Sequence, residues 1–253
     1  QAAQAQIIEK HRLERELQVA HEIQESILPH TLPVIPGIDM GVMMRPARAV
    51  GGDLYDLIAL KNNCLGVVIG DVSDKGVPAA IFMALARSLL RAEASRMAPP
   101  AVVLREVNRH LLDMNTAGLF ITVIYGVLDC DSRQFTFVRA GHEFPFFFQK
   151  DGTEILPGIS HGQALGLFED VLLEELSVTL PPGSRIVLYT DGATDAVNPE
   201  NERFGRKRLQ ESMRRHLPDS AQDFCEAIFQ AITQFQNGAS QADDVAMVAI
   251  DIQ

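Results

Sequence analysis

Apolar residues recur with two different periods along this chain, and the period changes near residue 30. From Ile7 to about Leu28, Leu13, Leu17, Ala20, Gln24 and Ile27 stand 4, 3, 4 and 3 apart among charged residues such as Glu14, Arg15, Glu16 and Glu22. That spacing predicts one helix, which Pro29, Pro33 and Pro36 end. With about three heptads, the stripe fits a helix packed on its own domain as well as a short coiled coil that joins two copies or relays a signal. Beyond the prolines the pattern shifts to short apolar runs bounded by Gly, Asn and Asp, the mark of strands. Nine are predicted: Met40–Arg45, Leu54–Leu60, Leu65–Val72, Phe120–Asp129, Gln134–Ala140, Phe144–Gln149, Leu172–Val178, Ile186–Thr190 and Val245–Asp251.

Helices are expected between them. Pro78 suits the first turn of one running to about Ala94, with Ile81, Leu85, Leu89 and Ala92 on one face. Leu104, Val107, Leu111 and Met114 mark a second, and Phe224, Ile228, Ile232 and Phe235 a third. Strands come in runs and helices in groups, which fits an α+β fold with helices on the outer faces of sheets better than alternating α/β. The expected division is a helical lead over 1–32 and one large domain over 33–253.

Composition narrows the functional classes. Hydrophobic residues make up 47% and charged residues 22% of 253, an ordinary globular balance. No apolar run approaches the ~20 residues of a membrane span, so no membrane insertion is expected. The net charge of −11 argues against a nucleic-acid partner, since phosphate backbones are held by Lys and Arg. Cys64, Cys130 and Cys225 are odd in number and far apart, matching neither a disulfide framework nor zinc spacing, and a cytoplasmic setting is expected. Gln1 in place of methionine, without signal-peptide features, suggests a piece of a longer protein with a domain upstream.

The chemistry concentrates in aspartates at strand ends: Asp53 in VGGDLYD, Asp71 in VVIGDVSDKG, Asp191 in LYTDGATD and Asp243 in QADDVAMVAI. A neighbouring glycine lets the backbone come close to a ligand. Any one such aspartate has an ordinary explanation, a turn in which it caps its own backbone. Four at apolar strand ends argue for convergence, and converging carboxylates need protons or cations between them. Oxygen-only donors suit Mg²⁺ or Mn²⁺, whereas zinc would call for His or Cys.

The runs EIQESILPHTLPVIPG, PARAVGGDLYD, IGDVSDKGVPAAIFMA, FITVIYGVLD, AGHEFPF, LYTDGATDAVNPENERFG and ADDVAMVAI occur in an order that resembles the bacterial PPM-type serine/threonine phosphatases, in their RsbU and sporulation stage II E branch. These are distant relatives of the type 2C protein phosphatases. The resemblance runs from about Glu16 to the C-terminus. It implies a four-layer α-β-β-α sandwich and a binuclear Mn²⁺ or Mg²⁺ site in which Asp71 bridges both ions. The Val72 carbonyl and Asp53 would lie on one side, Asp191 and Asp243 on the other. Two cations roughly 3.5–4 Å apart would activate a water to attack phosphorus, with no protein nucleophile. The implied substrate is a phosphorylated regulator, an anti-sigma factor antagonist of the STAS type; the helical stripe and the non-methionine start add the expectation of control by an upstream sensor or receiver domain through the helix, with dimerisation at Leu13, Leu17 and Ile27.

The match has departures. Asp74 stands where the branch has glycine, Asp195 where it has glutamate, and Ser73 where type 2C enzymes carry histidine. Asp74 and Asp195 are the two hints toward a silent partner-binding module; a phosphatase for small phosphoesters is the other alternative. His142 in AGHEFPF is a candidate acid or else a packing histidine. Arg48 is a candidate phosphate contact or a solvated arginine. Asp56, Asp244 and Gly192 are candidates for the surroundings of the site. His11, His21 and His30 read as surface residues.

Overall fold

The computed structural model describes residues 2–29 and 31–253; His30, expected at the surface, lies outside the described residues. The chain begins with helix α1 (Ala2–Ile27) and continues through β1 (Ile38–Arg45), β2 (Leu54–Leu60), β3 (Cys64–Val72), α2 (Val77–Ala94), α3 (Pro100–Met114) and β4 (Ile121–Asp129). It then runs through β5 (Gln134–Ala140), β6 (Phe146–Phe148), β7 (Glu175–Thr179), β8 (Arg185–Tyr189), α4 (Gly192–Asp195), α5 (Gly205–His216), α6 (Ala221–Gln236) and β9 (Val245–Ile252). All strand pairs are antiparallel, in a four-stranded sheet β1-β9-β8-β6 and a five-stranded sheet β2-β3-β4-β5-β7.

Alternation along the strands separates three apolar layers, because successive side chains leave opposite faces of a strand. Tyr55, Leu57, Val67 and Ile69 of one sheet meet Ile186, Leu188, Val248 and Ile250 of the other, with Phe135, Phe137 and Phe147 between the sheets. Leu54, Ile58, Val68 and Val72 face the opposite way, against α2 and α3. Val187, Tyr189, Val245 and Met247 face α5 and α6. The result is the expected four-layer sandwich. Each fully buried phenylalanine of the middle layer contributes roughly 2–3 kcal/mol by leaving water.

The nine predicted strands all form, with shifted ends: β6 shrinks to three residues, β7 starts at Glu175, and β1 starts at Ile38. Two helices had no forecast. In α5, Leu209 and Met213 carry the buried side of GRKRLQESMRRH, too few apolar residues to stand out among its cations. The face predicted for α2 is displaced: Ala79, Phe82, Met83, Ala86 and Leu90 are buried, Leu85 and Leu89 flank the core, and Ile81 and Ala92 are exposed. Likewise Met114 of α3 is exposed, whereas Leu104, Val107 and Leu111 are buried.

The stripe on α1 divides. Its end is anchored by Gln24, whose amide Nε2 donates to the Gly51 carbonyl at 2.6 Å while Oε1 accepts from the Gly51 N–H at 3.0 Å. Ile7, Leu13, Val19 and Ile23 remain exposed. Among the described residues no helix is long and apolar enough to cross a membrane.

Candidate metal centre

The sandwich brings the strand ends named in the sequence to one edge. Asp53 lies one position before β2 in the alternation of Tyr55 and Leu57, and Asp71 follows Val67 and Ile69 along β3, so both side chains share the face between the sheets. The pairing of β2 with β3 extends past Leu54 and Gly70, with Val72 N–H donating to the Gly52 carbonyl at 3.3 Å. From the other sheet, the Thr190 hydroxyl donates to Asp53 Oδ2 at 2.7 Å, placing the residue before Asp191 directly on Asp53. Thr190 Oγ1 also accepts from Ala246 N–H at 2.8 Å, which locks it to β9.

The glycines act on the chain itself. A Cβ on Gly192 would stand 1.8 Å from the Asp244 carbonyl oxygen, so the turn into α4 can pass β9 only without a side chain. A Cβ on Gly52 would stand 2.9 Å from the Val72 carbonyl oxygen, so a side chain here would crowd that oxygen. Asp244 Oδ1 accepts from Ala47 N–H at 2.8 Å and Oδ2 from Gly52 N–H at 2.7 Å, holding the 47–52 loop in place.

The charges are mutually unfavourable. Burial, followed by the charges of Asp71, Asp244 and Asp191, holds Asp53 well above the ordinary carboxylate range, against the Thr190 hydrogen bond. Burial and the charges of Asp191 and Asp243 push Asp71 up to about 7, partly offset by its hydrogen bond with Asp53. Asp191 is raised by burial and by Asp243, Asp195 and Glu143, while Lys75 works the other way. Lys75 makes a 2.9 Å ion pair with Asp243. Buried carboxylates with so little compensating charge are a donor set for a hard cation. Among the described residues no three His, Cys, Asp or Glu side chains already stand together as a ready-made site for one ion.

Other candidates fall elsewhere. Asp56 points to the helical side of β2, where Arg87 at 2.9 Å and Arg91 at 2.8 Å hold it, so it is neither a phosphate contact nor part of the carboxylate cluster. His142 is buried, with Nε2 donating to the Tyr189 carbonyl at 3.1 Å and Nδ1 accepting from the Thr122 hydroxyl at 2.9 Å. Burial pushes its pKa down to about 4, so near neutral pH it is uncharged, its one N–H is committed to Tyr189, and it serves as a strut from β4 to β8. Ser73 Oγ accepts from Phe120 N–H at 2.9 Å. Asp74 is exposed at φ +72°, the left-handed region that favours glycine, and its Oδ1 caps Lys75 N–H at 2.7 Å. Asp195 pairs with exposed Arg203 at 2.9 Å, and Arg48 is exposed on the 47–52 loop. Thr190 and Lys75 were missed; their position beside TDG and within SDKG was the available signal.

The family described as Stage II sporulation protein E (SpoIIE) matches residues 61–253, more than half of the chain. Protein IcfG of Synechocystis sp. is 32% identical over 93% of this chain and 41% of its own length. Phosphoserine phosphatase RsbU of Bacillus subtilis is 28% identical over 89% of this chain and 67% of its own. This chain therefore spans well under half of IcfG. The SiaA-PP2C domain of Pseudomonas aeruginosa has the same fold, with a TM-score of 0.80 at 23% identity over 96% of this chain and 98% of that one. The chain belongs to the Stage II sporulation protein E (SpoIIE) family.

Proposed function

We propose that this chain is a metal-dependent phosphoserine/phosphothreonine protein phosphatase, with 33–253 as the catalytic domain. The observation that carries the reading is the desolvated carboxylate cluster built from both sheets, in a chain whose family uses divalent metals. Asp71 would bridge two Mn²⁺ or Mg²⁺ ions, with Asp53 and the Val72 carbonyl on one side and Asp191 and Asp243 on the other. When bound, the ions supply charge that activates a water and neutralises the phosphoryl oxygens. The protein's own part is positional: Thr190 orients Asp53, Asp244 fixes the loop before it, and Gly52 puts no side chain against the Val72 oxygen. A polar pocket of about 330 Å³ is lined by Gly192, Asp195, Asn201, Arg203, Gln241 and Asp243.

The proposed substrate is a phosphorylated anti-sigma factor antagonist of the STAS type, in keeping with the similarity to RsbU, in a cytoplasm where Cys64, Cys130 and Cys225 stay free. Hydrolysis of p-nitrophenyl phosphate is expected to require Mn²⁺ or Mg²⁺, to stop with EDTA, and to fall by roughly 100-fold or more in Asp191→Asn. A phosphopeptide is expected to outpace free phosphoserine; equal rates would favour a small-ester phosphatase. Turnover that survives EDTA would sink the metal reading, and absence of both turnover and metal binding would leave a partner-binding module.

We also propose that α1 joins two copies and transmits the state of an upstream sensor or receiver domain. The support is the exposed apolar series Ile7, Leu13, Val19 and Ile23 beyond the Gln24 anchor. Of the predicted contacts, Leu13 is exposed, whereas Leu17 and Ile27 are half-buried. Sedimentation is expected to show a dimer that Leu13→Glu with Leu17→Glu dissociates; an unchanged association state would rule out this helix as the contact.

A further inference from the structure

The carboxylate cluster contains a positive charge of its own. Lys75 lies on the loop between β3 and α2, between Asp74 at φ +72° and Gly76 at φ +84°. These two left-handed positions turn the loop so that the lysine reaches the residues before β9. Its Nζ donates to the Ala242 carbonyl at 2.7 Å and pairs with Asp243 Oδ2 at 2.9 Å. A main-chain carbonyl and a carboxylate from adjacent residues are the type of oxygen donors that a hard cation takes. Lys75 also acts on Asp191, where it opposes the repulsion from neighbouring acids. The ammonium thus serves the two aspartates assigned above to one ion, while the leading charges acting on Asp53 are those of Asp71, Asp244 and Asp191.

We propose that Lys75 is a placeholder cation: its ammonium occupies the Asp243 side of the centre and must leave before the second divalent ion can bind there. This rests on the phosphatase reading above. Two unequal loading steps follow. Asp53, Asp71 and the Val72 carbonyl would hold their ion with no ammonium to displace, whereas an ion at Asp191 and Asp243 would have to exchange against Lys75. The exchange needs a swing of one flexible side chain, since Lys75 and Asp243 are both 36% exposed and in contact with solvent. The same contact keeps the metal-free centre from carrying its full negative charge.

Calorimetric Mn²⁺ titration of the metal-stripped full chain tests this. Wild type is expected to bind two ions in separated steps. Lys75→Met, which keeps length and removes charge, is expected to tighten the weaker step by roughly 3–10-fold and leave the tighter one unchanged. Lys75→Arg keeps the competing charge and is expected to retain the separated steps. In the absence of metal, Lys75→Met is expected to melt below wild type and to gain more on Mn²⁺ addition. Two ions binding in wild type with an unchanged or weaker second step in Lys75→Met would overturn the placeholder and leave the phosphatase reading standing. Absence of Mn²⁺ binding by either protein would overturn that reading itself and the placeholder with it.

Discussion

Asp71→Asn is expected to abolish phosphatase turnover, by roughly 100-fold or more, and at the same time to make the metal-free protein harder to melt at pH 8. The two effects share one cause. The Asp71 carboxyl is pushed up to about 7 from an ordinary 3.8 by burial and by Asp191 and Asp243. Between those values the folded chain holds a proton that the unfolded chain has lost, so this group's contribution to stability falls as pH rises and reaches its most unfavourable level above about 7. Asparagine carries no charge and escapes the penalty. His142 runs the other way: its folded pKa near 4 against 6.5 favours the folded state at higher pH and loses that effect as pH falls from 6.5 toward 4. It is present in both proteins, so the difference between them isolates Asp71. With EDTA, the advantage of Asp71→Asn is expected to be small near pH 4 and to reach about 5 °C at pH 8. Saturating Mn²⁺ is expected to reverse the order. Retained turnover, or a lower melting temperature for the variant at pH 8 without metal, would remove Asp71 from the centre of the cluster.

Asp56→Ala separates stability from the chemistry. Asp56 is 1% exposed and faces Arg87 and Arg91, with the Arg87 side chain 11% exposed. Removing the carboxylate leaves a largely buried guanidinium without its partner, at a cost of about 3–5 kcal/mol. For a chain of this size that corresponds to a fall in melting temperature on the order of 10 °C. Metal-dependent hydrolysis at a temperature where the variant is folded is expected to stay within about threefold of wild type, because the side chain leaves β2 on the face away from Asp53. Replacing both partners, Asp56→Leu with Arg87→Met, is expected to recover much of the loss, since two matched apolar groups leave no charge unpaired. A large drop in turnover per folded molecule would return Asp56 to the site.

Periodicity made the strands legible because each has to bury at least one face, and the three apolar layers are the record of that alternation. It failed at α5, where Arg206, Lys207, Arg208, Arg214 and Arg215 outnumber the two residues that touch the core. It misjudged α2 because its sequence is apolar nearly all round, so several stripes score alike and only the sheet beneath selects Phe82 and Met83 over Ile81. The same limit applied on α1, where Gln24 sat in an apolar stripe for a polar reason, its paired hydrogen bonds to Gly51.

At the site, the residue types and their order were sufficient to indicate oxygen donors at strand mouths and the family to which they belong. Those properties are local: a strand end, a glycine and a carboxylate are each specified by a few neighbouring residues. Which carboxylate faces which group was decided only by tertiary structure. Asp53 and Asp56 are three positions apart, an odd step that sends one to the space between the sheets and the other to the helices. Asp243 and Asp244 adjoin, yet one pairs with a lysine 168 positions earlier in the chain while the other fixes a loop nearly 200 positions away. Burial and charge–charge repulsion arise from such long-range approach, so the raised pKa of Asp71, the neutral state of His142 and the cation at Asp243 belong to the folded chain alone.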